Sequence, residues 1–470
     1  MDNQLASASW HRRQCLKGLG GVALASLIGR ANGGLSGLPH FEPKAKRVIC
    51  LYMSGGMSQL ESFDYKPKLN EYDGKALPES LFKGRKPLGM SKLQANFHAH
   101  GSAFPFKQYG ESRAWISDRF PHLASHADKL CFLKGMVSDA VNHDPAIIFS
   151  NSGAQLPGRP SMGSWISYGL GSENEDLPAF IVMVTKKPAD QPLSSRLWDS
   201  AFLPSEHQGT PFRAGKEPVL FLTNPDGISD EMQRRTLDAL NLLQSEELHR
   251  TQDREIDARI AQYEMAFRMQ SSVPTFTSLK DEKPEVLERY GPHVKSPGSY
   301  AANCVVARRM IESGVRFVQL YHPGWDHHGF IQGAFKEIAS EVDQPTAALL
   351  QDLEERDMLK DTLVLFVSEF GRTPYSQGSG VKSADEYGRE HHRYAFTYWM
   401  AGAGVKRGMS YGETDDFGFD VVAGKTSIND FHATVLHLLG IDHERLTFRF
   451  QGRDYRLTDL AGSVIKPILA

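Results

Sequence analysis

Short apolar runs bounded by turn residues recur along the chain and predict buried β-strands. Each run is rich in Val, Ile, Leu, Phe or Tyr, and helical patterns separate many of them. This alternation predicts an α/β fold with a mostly parallel central sheet and helices on both faces. The runs are residues 47–53, 129–133, 180–184, 315–321, 362–367 and 395–400.

Apolar residues at intervals of three and four predict amphipathic helices between these strands. The longest pattern, over residues 237–267, predicts one or two helices with charged residues between the apolar positions. Patterns at 301–313, 335–355 and 427–439 predict one helix each. Gly440 is expected to follow the end of the last helix, because glycine adopts the left-handed conformation common there.

Composition narrows the class of protein. Of the 470 residues, 40% are hydrophobic and 23% are charged, as in soluble globular proteins. The net charge of -3 favours neither nucleic acid nor an acidic membrane surface as a partner. After the N-terminal segment no run reaches about 18 apolar residues, so no transmembrane segment is expected in the mature protein.

The N-terminal segment predicts export. Arg12 and Arg13 precede a glycine-rich, weakly apolar run at residues 18–29, which is too short to cross a bilayer. Paired arginines before such a run are typical of a twin-arginine signal, which exports folded proteins. We therefore expect a signal over residues 1–31 and a mature protein in the periplasm or outside the cell. The alternative is a basic, unstructured start with a chance apolar run.

The remainder of the chain is expected to form one domain, over residues 41–465, because no repeat, low-complexity tract or clear linker divides it. Residues 66–120 are rich in Gly, Pro, Lys and aromatic residues without clear periodicity, which predicts a long irregular loop region. Cys50, Cys131 and Cys304 are too widely spaced to form a CxxC site or a disulfide framework.

Polar residues follow several of the predicted strands. Ligands bind outside the carboxyl ends of parallel strands, so these residues are expected to meet at one edge of the sheet. Carboxylates, imidazoles and guanidinium groups are the side chains that bind divalent metals or anions. The candidates are Glu61, His143, Asp326, His328, Glu369 and Arg372, with Arg389, His391 and His392 just before the last strand.

The sequence Trp-Asp-His-His at residues 325–328 is the sharpest of these motifs. A carboxylate and two imidazoles within three residues can supply ligands to zinc, manganese or iron. Adjacent side chains in an extended segment point opposite ways, so we select Asp326 and His328 as the pair that shares a metal. The alternative is a polar loop whose histidines cap a helix that begins near Gly329.

Three further motifs leave alternatives open. Glu369 could bind a metal or form a buried ion pair with Arg372, which could instead bind an anion. In the sequence Gly-Arg-Glu-His-His at residues 388–392, one of the two histidines is expected in the site. His143 could be a general base or a ligand, and Asp144 could be the N-cap of the helix that follows.

Longer motifs resemble a known family. They are GGMSQLESFDYKP, NHDPAIIFSNSGAQLPGRPSMGSWISYGLG, FLPSEHQGTPFR, WDHH, SEFGRTP and GREHHRYAFTYWMAGAGVKRG. Together with the export signal they resemble a large bacterial family of exported proteins of unknown function, often labelled sulfatase, within the alkaline phosphatase superfamily. The resemblance extends over nearly all of residues 47–460 and implies an alkaline-phosphatase-like α/β fold. It also implies phosphatase, sulfatase or phosphomutase chemistry, typically with two metals on Asp and His ligands.

The chain departs from the superfamily's pattern at the site. Phe370 stands where a histidine ligand is usual, Gln59 replaces a histidine after the first strand, and Glu61 replaces an aspartate there. The sulfatase nucleophile motif is missing, and His143-Asp144-Pro145 stands near its expected place. These departures imply a metal site that is reduced to one ion or lost.

The leading hypothesis is an exported, metal-dependent hydrolase of a sulfate or phosphate ester. Its partner would be an anionic small molecule or a sulfated or phosphorylated carbohydrate. Arg372 or Arg389 would bind the anion, and His143 would act as acid or base. One or two divalent ions (zinc, manganese or calcium) would be held by ligands from among Glu61, Asp326, His328, Glu369, His391 and His392.

Two alternatives to this hypothesis stay open. The first is a catalytically degenerate protein of the same fold that binds a polyanion or sulfated glycan without cleaving it. The second is a buried salt-bridge network that only stabilises the edge of the sheet.

Overall fold

A computed structural model describes most of the chain. The described residues are 34–84, 89–187, 191–213, 218–219, 224, 227–252, 254–378, 382–383 and 385–470. The expected export signal at residues 1–31 lies outside them. Among the described helices, none has both the length and the apolar character that crossing a membrane requires.

All six predicted runs form strands of one large sheet. Its strands follow the order β12-β4-β11-β8-β1-β7-β5-β6, with β15 also beside β4. The strands of the described chain are β1 Arg47–Ser54, β2 Phe106–Tyr109, β3 Ala114–Ser117, β4 Leu130–Val137, β5 Phe180–Val184, β6 Thr210–Phe212, β7 Phe317–Pro323, β8 Thr362–Val367, β9 Gly371–Arg372, β10 His391–His392, β11 Phe396–Ala401, β12 Met409–Tyr411, β13 Glu413–Thr414, β14 Val421–Ala423, β15 Thr426–Ser427, β16 Phe448–Phe450 and β17 Arg453–Tyr455.

The mostly parallel character of the sheet is confirmed. Strands β8, β1, β7, β5 and β6 run in parallel, whereas β11 is antiparallel to both of its neighbours, β8 and β4. In the register of the three central strands, Val48 lies opposite both Phe317 and Leu363. Strands β1, β7 and β8 therefore end at the same level, and the loops that follow them share one edge.

Helices cover both faces of the sheet, as the apolar runs predict. Side chains of β1 alternate between two hydrophobic cores: Ile49 and Leu51 belong to one, and Val48 and Cys50 to the other. A strand buried on both faces needs apolar residues at every position, which explains its continuous run. The α-helices of the described chain are α1 Pro67–Glu71, α2 Pro121–Ala124, α3 His143–Ser152, α4 Met162–Leu170, α5 Asp230–Thr251, α6 Arg254–Thr277, α7 Pro284–Arg289, α8 Tyr300–Glu312, α9 Ile331–Glu355 and α10 Ile428–Leu438.

The predicted helices are confirmed in position. The long pattern over residues 237–267 corresponds to two helices, α5 and α6, which are separated at Gln252 in the left-handed conformation. Gly440 follows α10 with a φ of +77°, as expected for a residue just beyond a helix end. Between residues 66 and 120 regular structure is sparse and includes the short helix α1 and the β2–β3 hairpin.

Candidate metal centre

Four side chains from three separate segments converge at the edge where the central strands end. Asp326 and His328 follow β7, His391 lies in β10, and His143 is the first residue of α3. We call these four residues the imidazole cluster. Asp326 is its centre, because each of the three histidines brings a ring nitrogen within 3.2 Å of this carboxylate.

Three ligand atoms of the cluster form a nearly equilateral triangle. The Oδ1 atom of Asp326 lies 3.0 Å from His328 Nε2 and 3.2 Å from His391 Nε2. The two Nε2 atoms are 3.0 Å apart. His143 approaches from the other side, with Nε2 3.1 Å from Asp326 Oδ2. All three rings thus direct Nε2 toward the carboxylate of Asp326, two of them at Oδ1 and His143 at Oδ2.

The other ring nitrogen of each histidine faces an acceptor outside the cluster. His143 Nδ1 donates to Glu369 Oε1 at 2.7 Å, and His391 Nδ1 donates to the carbonyl oxygen of Val141 at 2.9 Å. His328 Nδ1 lies 4.0 Å from Glu390 Oε1. For His391, the donor bond at Nδ1 leaves the lone pair of Nε2 facing inward, which is the tautomer that metal ligation needs.

Charge is unevenly distributed over the cluster. Burial would raise the pKa of Asp326, but the three imidazoles and the Arg372 guanidinium hold that pKa far below its usual range. Burial would lower the pKa of His143, yet the carboxylates of Asp326 and Glu369 raise it to about 9. For His391, burial dominates and lowers the pKa to about 3. One imidazole of the cluster is therefore protonated at neutral pH while another is neutral.

Arg372 supports the cluster from behind. Its side chain is buried, and its Nη2 atom lies 2.5 Å from Asp326 Oδ1. The remaining donors bond backbone oxygens, with Nε on Gly56 O at 2.7 Å and Nη1 on Arg389 O at 3.0 Å. The side-chain amide of Gln59 pairs with both the backbone N–H and the carbonyl oxygen of Arg372. The guanidinium is thus committed to the protein and not open to a substrate anion.

Glu61 and Arg389 are not brought into the cluster. Instead they form a fully buried ion pair, in which Arg389 Nη2 and Nε lie 2.7 Å and 2.9 Å from the Glu61 carboxylate oxygens. The other donors of Arg389 bond three backbone oxygens, those of Thr373, His100 and Gly101. In this arrangement Glu61 faces an arginine where a metal was expected, and each guanidinium nitrogen of Arg389 bonds a group inside the protein.

Two more of the predicted ligands lie outside the cluster. His392 points to the opposite side from His391, as adjacent strand residues do, and its Nε2 bonds the Phe419 carbonyl at 2.6 Å. Glu369 is buried behind His143, where its Oε1 atom also accepts from Gly55 N at 2.8 Å. A partner inside the protein therefore occupies each of these two groups.

Asp144 is not the N-cap of the helix that follows, which was the alternative left open for it. Helix α3 begins at His143, with Asn142 as its N-cap, so Asp144 lies in the first turn and pairs with Arg196. Phe370 packs its ring 5.0 Å from the ring of His143 and 4.6 Å from that of His391. Phe370 therefore places an apolar ring, which offers no ligand atom, beside the cluster.

Sequence reasoning missed Glu390. This carboxylate is buried, accepts the His391 N–H at 2.8 Å, and faces Nδ1 of His328. Its position beside two histidines was visible in the sequence, but nothing there showed the direction of its side chain.

Comparisons with known proteins identify the family. A model of the family described as "Protein of unknown function (DUF1501)" matches residues 45–469. No curated protein matches the chain. Because the family model extends over most of its length, the chain belongs to that family.

Several solved structures resemble the chain at low identity. The lipoteichoic acid synthase LtaP from Listeria monocytogenes is 10% identical, with a TM-score of 0.36 over 92% of this chain and 79% of that one. The PsFucS1 sulfatase from Pseudoalteromonas sp. is 10% identical, with a TM-score of 0.34 over 85% and 68%. The C-terminal periplasmic domain of EcEptC from Escherichia coli, in complex with Zn, is 8% identical, with a TM-score of 0.34 over 85% of each chain. At these TM-scores, function has to be argued from the site itself.

Proposed function

We propose that this member of the family is an exported, metal-dependent hydrolase of a sulfate or phosphate ester. Asp326, His328 and His391 would hold one divalent ion, and His143 would be the acid–base residue. The observation that carries the proposal is the triangle of Asp326 Oδ1 and two Nε2 atoms, with edges of 3.0, 3.0 and 3.2 Å.

The triangle fits an ion of the size of zinc. Ligand atoms at about 2.0–2.1 Å from a tetrahedral zinc ion are about 3.3 Å from one another, close to the observed edges. Three protein ligands with a fourth position open are the arrangement found in catalytic rather than structural zinc sites. An ion bound there supplies a Lewis acid for the oxygens of the ester.

His143 is suited to transfer a proton. Its Nδ1 atom is held by Glu369 at 2.7 Å, which fixes the plane of the ring. With a pKa raised to about 9 by Asp326 and Glu369, the ring carries a proton at neutral pH. In the proposed reaction a water molecule attacks the phosphorus or sulfur atom, the bond to the leaving alcohol oxygen breaks, and His143 donates its Nε2 proton to that oxygen.

The anion would be bound without an arginine. Arg372 and Arg389, which were expected to bind it, donate their hydrogen bonds inside the protein. Arg372 is better described as a positioning residue, because its contact with Asp326 Oδ1 holds the carboxylate in place. Protonated His143 is then the cationic side chain left to face the ester within the cluster.

Metal binding and turnover test the proposal. Purified protein is stripped with a chelator, reloaded with zinc, manganese or calcium, and assayed by calorimetry and with aryl sulfates and phosphates. We expect one ion per chain, affinity lowered at least tenfold by His328→Ala or His391→Ala, and turnover that depends on the ion. His392→Gln, which changes the neighbour that lies outside the cluster, is the matched control. Absence of any bound ion in the reloaded protein would reject the proposal.

A second function is favoured by Phe370, which packs against two imidazoles and supplies no ligand atom where the family resemblance implies a histidine. Under this alternative the protein keeps the fold and binds a polyanion or sulfated glycan without cleaving it. Ester hydrolysis that is lost in Asp326→Ala would exclude the alternative. Metal binding without turnover of any sulfate or phosphate ester would support it.

Export is part of the proposal and rests on Arg12, Arg13 and the apolar run that follows. Residues 1–31 fused to a reporter that is active only outside the cytoplasm should give signal in cells with a working twin-arginine translocase. Arg12→Lys together with Arg13→Lys should abolish that signal, and an unchanged signal would contradict this route.

A further inference from the structure

A wide cavity lies beside strands β5 and β6 and is bordered by helices α6, α7 and α8. Its volume is about 1220 Å³, which is above the range of about 300–1000 Å³ that is usual for ligand pockets. Its described lining contains no residue of the imidazole cluster. We call this space the lateral cavity, and it is a second candidate site that the proposed function does not use.

The walls of the lateral cavity are largely apolar. Each apolar wall residue belongs to the hydrophobic core on that face of the sheet or packs against it. Apolar surface that stays open to water is covered favourably by an apolar ligand. The wall residues in question are Met183, Phe212, Leu279, Leu287, Val294 and Val306.

Buried ion pairs hold these walls together. Arg308 of helix α8 is fully buried, and its Nη2 atom lies 2.5 Å from Glu282 Oε1. Arg309 brings Nη1 within 2.8 Å of the same oxygen, and its Nε donates to the Phe276 carbonyl at 3.0 Å. Because Glu282 lies in the loop between α6 and α7 and also lines the cavity, this loop is fixed to α8. The lateral cavity is therefore built into the folded chain.

Asn303 of α8 lines the lateral cavity with an unpaired side chain. It is only 8% exposed, and its side-chain amide has no hydrogen-bond partner among the described residues. A buried amide that lacks a partner costs stability, and its NH2 group can donate to an oxygen of a ligand. Asn303 therefore indicates a ligand that carries a polar group as well as apolar surface.

The charged side chains of the lining favour an anion. Arg213, Lys280 and Lys295 are exposed, and none of them has an ion-pair partner in the part of the chain that the structure describes. Two carboxylates also line the cavity, but Glu282 is neutralised by the buried ion pairs and only Glu288 is exposed. Three cations thus face one exposed carboxylate, and this excess of positive charge complements an anionic group.

We propose that the lateral cavity binds an anionic amphiphile, in which a long alkyl chain carries a carboxylate or phosphate head group. The chain covers the apolar walls, Asn303 donates a hydrogen bond to an oxygen of the ligand, and Lys280 and Lys295 attract its negative charge. This site needs no metal and does not depend on the proposed hydrolase function.

Calorimetric titration of the purified, chelator-treated protein tests the proposal with five ligands below their micelle concentrations. Dodecanoate and dodecyl phosphate have both parts of the proposed ligand. Dodecan-1-ol lacks the charge, dodecyltrimethylammonium reverses it, and butanoate lacks most of the chain. We expect dodecanoate or dodecyl phosphate to bind about tenfold or more tightly than the other three ligands. The tighter of these two anions identifies the head group.

Variants locate the binding site. Asn303→Leu removes the amide at similar volume and should weaken binding of the anion about tenfold or more, with dodecan-1-ol unaffected. Lys280→Gln combined with Lys295→Gln should weaken it about threefold to tenfold, with a larger effect at low salt. Both lysines are exposed, so this double variant decides the matter if Asn303→Leu is unstable. Lys283→Gln, at an exposed lysine outside the lining, is the matched control and should leave the affinity unchanged.

Several results would overturn the inference. Equal affinity for dodecan-1-ol and the two anions would show an apolar site without charge selectivity, and tight binding of butanoate would show an anion site without a chain. Weakening by Lys283→Gln equal to that of the double variant would place binding elsewhere, and binding of neither long-chain anion would reject the site outright. Zinc affinity should be the same with and without dodecanoate, so failure of this inference and failure of the proposed function are separate outcomes.

Discussion

The imidazole cluster and the Glu61–Arg389 pair lie close together in the fold, and each surrounds one carboxylate with nitrogen-bearing side chains. Both hold a carboxylate at the polar edge of the sheet. Glu61 and Arg389 have no exposed surface, whereas Asp326 is 26% exposed and His328 is 31% exposed. The pair is closed to solvent, and the cluster is open to it.

The difference between them lies in how donors and acceptors are matched. In the closed pair, one arginine supplies donors to a carboxylate and three backbone oxygens. In the open cluster, three imidazoles direct Nε2 at one carboxylate, and two of them have Nδ1 bonded to acceptors outside. Asp326 Oδ1 and the Nε2 atoms of His328 and His391 are grouped around one point, which is the arrangement that binds a cation, and the closed pair has no such point.

The largest expected effect separates stability from metal binding. Glu61→Gln leaves the charge of Arg389 buried without its carboxylate, which should lower the free energy of unfolding by about 3–5 kcal/mol. Its zinc affinity should stay within a few-fold of the parent protein, measured under conditions where the variant is folded. His328→Gln should do the reverse, with a small change in stability and a large loss of zinc affinity. Urea denaturation and calorimetry on both variants check this, and equal stability losses would contradict the distinction.

The fold was largely predictable, and the assignment of residues to these two regions was not. Six buried strands could be predicted because each is continuously apolar. An apolar run does not show whether its strand lies parallel or antiparallel to its neighbours, so the antiparallel β11 was not predicted. Because side chains alternate in direction along an extended segment, Asp326 and His328 could be predicted to share one side. The same rule does not show which of His391 and His392 faces the site. The Glu61–Arg389 pair joins residues 328 positions apart, a contact that no local pattern specifies.

The pH dependence of the metal-free protein gives the next effect. His143 has a folded-state pKa of about 9, above its ordinary value of 6.5. Its contribution to stability is therefore complete below pH 6.5 and is lost as the pH rises from 6.5 to 9, by at most about 3 kcal/mol. His143→Gln should remove this loss. Urea denaturation in chelator at pH 6 and pH 9 measures it, and an identical change in stability in parent and variant would show that the ring is not protonated in the cluster.

The smallest expected effect distinguishes the two carboxylates behind the histidines. Glu369 lies 2.7 Å from Nδ1 of His143, and Glu390 lies 4.0 Å from Nδ1 of His328. Replacing a group that hydrogen-bonds a histidine of a metal site typically lowers the metal affinity or the activity about 10- to 100-fold. Glu369→Gln removes a charge that raises the pKa of His143, so it should lower kcat and move the alkaline limb of the pH–rate profile to lower pH, with zinc affinity retained.

Glu390→Gln should change metal binding and leave proton transfer by His143 unchanged. Its effect should be a loss of zinc affinity, toward the lower end of that range because the contact is longer, with the pH–rate profile unshifted. If the two substitutions instead changed zinc affinity alike, His143 would be a metal ligand rather than the proton donor. The open cluster would then contain four ligands, and the acid–base residue would have to be sought among the side chains around it.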